Sequence, residues 1–273
     1  MEVGAALSEE FGAVELLAED GTSQVFRGTS EDGPVAVKVS RWPMQGVKEL
    51  LCFGAEVRQM IALSAEGHLV PVLRCGFLPD GHPYVVTRLC AGGSVDRFMP
   101  LPGAVACEVV GTVGRAVAGL HRAGVVHGGI RPSKILVGRD GTAQLGLFGV
   151  DAVTAVPSHV VGGVLVQGVL SIAYLAPEIV YGTGRVPSAD VYSLGAVLYG
   201  LITGRAPYCP PDRELSVGEQ VGMLRRPVPE NPAVPGGLLA VIRKAMRFEA
   251  GERHGDVDEL IGEVARFSPA ARG

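Results

Sequence analysis

The hydrophobic period changes once along this chain, near residue 92, and that switch limits the folds open to it. Before it, apolar and β-branched residues fall in short runs: Val14–Leu17, Gln24–Gly28, Val35–Val39, Val70–Gly76 and Tyr84–Leu89. Turn signals at Asp20-Gly21, Asp32-Gly33-Pro34 and Asp80-Gly81 separate them, which reads as a meander of strands. One helical stretch interrupts, about Val47 to Ser64, with Leu50, Leu51, Val57, Met60 and Ile61 at i, i+3/i+4 spacing. After residue 92 the helical period takes over. Ser94 stands at the N-cap of a short helix at 95–99, and Val105, Val109, Val113, Val117 and Leu120 mark a long amphipathic helix ending at Gly124. Ile135–Val137 and Ala143–Leu147 bracket the turn Arg139-Asp140-Gly141 as a hairpin. Ser188–Thr203 is apolar nearly all round and so reads as a buried axis, with Leu238–Phe248 and Val257–Phe267 as the last helices. The pattern is α+β: a small antiparallel β-sheet with one helix at about 10–89, then a larger, mainly helical part at about 90–268, with short flexible ends. There is no internal repeat and no linker, so residues 1–273 read as one domain.

Composition narrows the function classes. Lys plus Arg (24) against Asp plus Glu (28) leaves a formal charge of −4, which argues against nucleic acid as a partner, because that needs a basic face to neutralise phosphates. Hydrophobic residues at 47% and charged residues at 19% exclude global disorder. No run reaches the ~18–20 unbroken apolar residues of a membrane span, and the acidic start MEVGAALSEEFG lacks the pattern of a signal peptide. Cys52, Cys75, Cys90, Cys107 and Cys209 are odd in number and form no CxxC pair, so reduced thiols and a cytoplasmic location are the expectation.

Motifs along the chain are more specific: VAVK at 35–38, HGGIRPSKIL at 127–136, LFG at 147–149, APE at 176–178 and DVYSLGAVLYGLITGRAPY at 190–208. In this order and at these separations they resemble the eukaryotic-type (Hanks-type) Ser/Thr protein kinase family, most closely its bacterial branch. The resemblance covers about residues 10–268 and implies a two-lobed protein-kinase-like fold. An aminoglycoside-phosphotransferase-like fold shares the lobes and the HG start of the catalytic loop. It lacks the APE segment and the DVYSLG helix, both present here.

A kinase positions a nucleotide, neutralises the transferred phosphoryl group with Mg²⁺ and orients the acceptor hydroxyl. The phosphate-covering loop G-x-G-x-x-G-x-V, counted back from Val25, becomes Ala18, Asp20 and Ser23 at its three glycine positions. Glu19 and Asp20 place two carboxylates where polyphosphate would lie, and like charges repel. A plain β-turn is the better reading. Lys38 matches the lysine that contacts the α and β phosphates, and Glu56 its ion-pair partner on the helix; a structural ion pair fits these residues equally well. Val25, Ala36, Val70, Leu136 and the gatekeeper Thr87, with the hinge backbone at Arg88–Cys90, outline an adenine slot, or an ordinary lobe interface.

The catalytic loop H-R-D-L-K-x-x-N departs from the family pattern. His127 remains, Gly128 replaces the Arg and Gly129 the catalytic Asp, Arg131 replaces the Lys, and Lys134 replaces the Asn that binds the second metal. Leu147 replaces the metal-binding Asp of D-F-G. Gly129 cannot accept a proton, Leu147 has no oxygen, and cationic Lys134 repels Mg²⁺. Asp140 and Asp151 are the acids nearest in sequence that a register change would have to bring in. His127 and Phe148, with Met60, imply a surviving packing spine. Glu178 and Arg253 imply the ion pair that braces the lower lobe, and Asp190 the residue that holds the catalytic-loop backbone.

The resemblance therefore implies a degenerate member, a pseudokinase with a regulatory or scaffolding role. It would have no metal site and no resident cofactor beyond weak, Mg²⁺-independent ATP binding. A weak or unconventional kinase or nucleotidyl transferase is the alternative. A protein partner is expected through Asp151–Leu170, where HVVGGVLVQGVL carries only His159 and Gln167 as polar side chains; packing of this segment into the catalytic cleft is the competing outcome.

Overall fold

The computed structural model describes residues 3–20, 23–31, 33–44, 46–65, 67–146, 159–161, 164–166, 172–210 and 215–268. They divide into two compact units, one running to Ala91 and the other taking in Gly92–Gly146 and the described residues from Ile172 onward.

The first unit opens on α1 (Val3–Phe11), followed by β1 (Glu15–Glu19), β2 (Ser23–Ser30), β3 (Gly33–Ser40), α2 (Val47–Ser64), β4 (Val72–Phe77) and β5 (Pro83–Arg88). The strands form one antiparallel sheet in the order β1-β2-β3-β5-β4. Alternation along GPVAVKVS sorts its faces. Val35, Val37 and Val39 are fully buried with Phe26, Tyr84 and Val86 on one face. Ladder pairing puts Ala36 and Lys38 on the other, beside Val25, Val85 and Thr87.

Two sequence expectations change here. The first residues were read as a flexible end, yet α1 buries Leu7 and Phe11 against the valine face of the sheet. Phe11 meets Tyr84 edge-on at 5.9 Å, and the Tyr84 hydroxyl donates to Glu10 at 2.7 Å. The helix comes close because Gly28 of β2 has no side chain: a Cβ there would lie 2.8 Å from Phe11 Cβ. A helix of nine residues is too short to signal itself by periodicity, and packing stabilises it. On α2, Leu50, Leu51 and Ile61 are exposed, Leu51 at 68%, while Phe53, Val57 and Met60 are buried. Both stripes have helical spacing, and Phe53 decides between them by packing edge-on against Phe77 at 5.3 Å. Phe77 pairs with Pro83 two ladder steps from Val85, so α2 lies on the Lys38 face of the sheet.

The second unit carries a 3₁₀ turn at Val95–Phe98, α3 (Gly103–Arg122), a second 3₁₀ turn at Pro132–Lys134, and the hairpin β6 (Ile135–Val137) and β7 (Ala143–Leu145). The helices α4 (Pro177–Val180), α5 (Pro187–Thr203), α6 (Val217–Met223), α7 (Gly236–Ala245) and α8 (Val257–Ala265) complete it. Two three-residue strands, His159–Val161 and Val164–Val166, pair with each other. As the sequence suggests, α5 is the buried axis, and α3, α7 and α4 pack on it. Ser94 does not cap: its hydroxyl donates to Asp96 at 2.5 Å. Val105 is 40% exposed, because the buried stripe of α3 runs one residue later, through Ala106, Val110, Val113, Val117 and Leu120. The sequence reading also passed over α6, which begins at Ser216 with a reciprocal capping box to Glu219. Among the described residues α3 is the one helix long and apolar enough to cross a bilayer, but its apolar stripe is buried against α5 and α8.

Candidate functional site

In the first unit, the turn between β1 and β2 is closed by the carboxylate of Asp20. Asp20 N–H donates to the Ser23 carbonyl at 2.9 Å, and Ser23 N–H donates back to Asp20 Oδ1 at 2.8 Å. Arg41 spans the strands, donating Nη2 to Glu19 Oε2 at 2.6 Å and Nε to the Asp20 carbonyl at 2.7 Å. A phosphate-covering loop presents backbone amides to the ligand. Here the amide of Ser23 is already taken by a fixed negative charge. The plain-turn reading of Glu19 and Asp20 thus acquires a mechanism that includes Arg41, which the sequence reading did not single out.

Val25, Ala36, Lys38 and Thr87 share the sheet face on which α2 lies, Val25 opposite Lys38 and Ala36 opposite Thr87. The Thr87 hydroxyl donates to the Ala36 carbonyl at 3.4 Å. Val70 is buried just before β4, and Leu136 sits in β6 of the second unit. Lys38 and Glu56 are both half-buried, on β3 and on α2, three residues after Phe53. In the hinge, the amides of Arg88 and Leu89 donate to the carbonyls of Pro71 and Pro34.

In the second unit the catalytic-loop backbone hangs from Asp190, in the first turn of α5. Its carboxylate is fully buried and accepts from His127 N–H at 2.9 Å and Gly128 N–H at 2.8 Å, with His121 Nε2 at 2.8 Å. Three partners compensate a charge that would be costly to bury alone. His121 joins these two amides from the last turn of α3, a position whose only sequence cue is a histidine at a helix C-terminus. His127 is buried, its Nε2 3.3 Å from the Gly146 carbonyl. Gly128 adopts φ +66°, which a side chain would strain.

The positions that should carry the base and the second metal ligand come together. Lys134 N–H donates to the Arg131 carbonyl at 2.9 Å, and Gly146 N–H donates to the Lys134 carbonyl at 2.7 Å. The Lys134 ammonium stands 3.4 Å from the point where a Cβ on Gly129 would lie. A cation beside a residue without a side chain is the wrong donor set for Mg²⁺, which takes carboxylate and carbonyl oxygens. Mg²⁺ does not fit these two positions. Among the described residues no cluster of three or more His, Cys, Asp or Glu is placed to hold a metal ion. Asp140 is held in the β6–β7 turn, accepting from Thr142 N–H at 3.0 Å and its hydroxyl at 2.7 Å, and these bonds lower its pKa. Leu147, Phe148 and Asp151 lie outside the described residues, as does most of Asp151–Leu170.

Below the loop, Arg253 forms a two-pronged pair with Glu178 of α4, Nη1 to Oε1 at 2.7 Å and Nη2 to Oε2 at 2.8 Å. The same guanidinium donates to the carbonyls of Arg247, Phe248 and Ser188.

A family profile described as the protein kinase domain matches residues 13–259. The chain is 35% identical over 230 residues to the serine/threonine-protein kinase PknL of Mycobacterium tuberculosis (strain ATCC 25618 / H37Rv), covering 81% of this chain and 55% of that protein. To the serine/threonine-protein kinase PknK of the same strain it is 31% identical over 274 residues, 95% of this chain and 24% of that protein. To the DNA damage-responsive serine/threonine-protein kinase RqkA of Deinococcus radiodurans it is 32% identical over 263 residues, 92% of this chain and 38% of that protein. The chain therefore spans from about a quarter to about half the length of these curated relatives.

Proposed function

The chain belongs to the protein kinase family and is related to bacterial Ser/Thr kinases, and on that premise we propose that it is a pseudokinase, a kinase-shaped regulatory or scaffolding protein. The observation that carries the reading is the Lys134 ammonium beside Gly129, 3.4 Å from the Cβ position of the missing base. With no carboxylate there among the described residues, none of them takes the proton of an acceptor hydroxyl, and the adjacent positive charge opposes the cation that would bridge the phosphates. The carboxylate-closed turn at Asp20 supports the same reading from the nucleotide side.

A titration with ATP tests it. Any thermal stabilisation is expected to be small, reflecting affinity of about micromolar or weaker, and equal with and without Mg²⁺. Stabilisation that appears only when the metal is added would contradict the reading.

The output of such a protein is contact, and we assign that contact to Asp151–Leu170. The basis is sequence: 159–170 is too short to span a membrane and too apolar for a solvated loop. Replacing Val161, Val164 and Val166 together with Ser is expected to leave the melting temperature unchanged and abolish retention of a co-purifying protein. A lower melting temperature with retention intact would mean the segment packs on its own chain instead.

A further inference from the structure

We infer that His254 is an acid-sensitive latch on the last helix: neutral, it lets α8 close on α7 beside the Arg253 brace, and its protonation releases that contact in mild acid. The ring is buried without the bonds that burial normally demands. Its side chain is 0% exposed, yet neither Nδ1 nor Nε2 finds a hydrogen-bond partner among the described residues. Nε2 stands 3.4 Å from Glu263 Oε2 of α8, a contact that becomes an ion pair only when the ring is protonated. Glu263 is already engaged. Lys244 of α7 donates Nζ to Glu263 Oε1 at 3.1 Å and to Glu259 Oε1 at 2.6 Å. Glu259 Oε2 in turn accepts from the amide of Gly255, the residue after His254, at 2.6 Å. One ammonium thus joins α7 to two carboxylates of α8, and the imidazole lies at the edge of that joint.

The charges facing the ring are Lys244 from α7 and Glu259 and Glu263 from α8. On its own turn, Arg253 is committed to Glu178. On α3, Arg115 donates to Thr112 and Arg122 pairs with Asp258, and on α5 Asp190 serves the catalytic loop. A proton on His254 therefore adds a second cation to a joint whose carboxylates Lys244 already neutralises, in a place closed to water. Burial holds the pKa of His254 below the ordinary histidine value; Glu263 opposes this and Lys244 adds to it. The sign follows from a folded-state pKa lower than the unfolded one. Stability is complete above about pH 6.5 and is lost as the pH falls through that value towards the folded one. Because Arg253 is the preceding residue and carries the bonds to Glu178, Ser188, Arg247 and Phe248, opening at His254 also loosens the hold on α4.

Urea denaturation of the full chain at pH 7.5 and pH 5.5 tests the latch, with His254→Gln, neutral at both values, as the reference. Between the two values the unfolding equilibrium constant of the wild type should rise by up to about tenfold more than that of the variant. That is the limit for one histidine taken one unit below an unfolded pKa of about 6.5. The remaining histidines and the carboxylates titrate in both proteins and cancel in the difference. Amide exchange at the two pH values, corrected for the intrinsic rate, should place the extra opening in residues 253–265 and in α4, with α3 unchanged. A nuclear magnetic resonance titration of the His254 ring in the wild type reads the same property should the variant fail to fold, and is expected to give a midpoint below about 6.5. Equal pH dependence of wild type and variant, a ring midpoint at or above that value, or opening no greater in 253–265 than in α3 would each overturn the latch.

Discussion

Replacing Arg253 with alanine is expected to lower the melting temperature by roughly 10 °C. The side chain is fully buried and Glu178 is nearly so, at 0% and 13% exposure. All five guanidinium N–H groups are engaged, two with Glu178 and three with the carbonyls of Arg247, Phe248 and Ser188. The group also lies 5.2 Å from the centre of the Tyr192 ring. A buried pair of this kind contributes little net stability against an apolar substitute, but removing one partner strands the other charge in low dielectric, at a cost of about 3–5 kcal/mol. For a chain of this size each kcal/mol shifts the midpoint by about 2–4 °C. Glu178→Gln keeps the shape and some of the bonds and should lose less. Thermal and urea denaturation of both variants measure the difference. A loss below about 1 kcal/mol for Arg253→Ala would mean that the brace is dispensable.

Long-range ion pairs of this sort were legible in the sequence only through the family resemblance. Nothing in the local pattern ties Glu178 to Arg253 across 75 residues. What the pattern did carry was the period switch, because strand alternation and helical spacing are local properties that survive folding. Gly33–Ser40 and Pro187–Thr203 illustrate it: one face of the strand and almost the whole helix are buried, as their apolar residues require. Local pattern failed where two apolar stripes compete on one helix, as in α2, where an aromatic contact with Phe77 chose Phe53 over Leu51. It failed again at α1, whose stability comes from a sheet face formed by residues as distant as Tyr84 and Val86. At the candidate site, the sequence reported which side chains were missing and was silent on what came near instead. The approach of Arg185 to Gly128 and the clamp of Arg41 on Glu19 are products of tertiary geometry.

The second large effect concerns chemistry. Kinase catalysis is positioning plus electrostatic stabilisation, so on the pseudokinase reading proposed above, loss of the base and the metal ligands together would remove both at once. Among the described residues, the one atom besides the chain neighbours within 4 Å of the Gly129 Cβ position is the Lys134 ammonium nitrogen, so none of them offers a carboxylate there to a hydroxyl proton. Asp140, the neighbouring acid among the described residues, is committed to Thr142 in its turn. Restoring single positions should therefore achieve little. Gly129→Asp alone would place a carboxylate against Lys134 as an ion pair, and Lys134→Asn alone would supply an amide oxygen without a base.

The direct measurement is incubation of the purified chain with γ-labelled and, separately, α-labelled ATP, in Mg²⁺ and in Mn²⁺, alone and with a generic acceptor protein, alongside Lys38→Ala. The account predicts no label above background from either nucleotide, and any trace to be the same in Lys38→Ala, which marks it as contamination. Incorporation of the γ label that Lys38→Ala abolishes would establish a working kinase, and the same result with the α label would establish a nucleotidyl transferase; either would contradict the account.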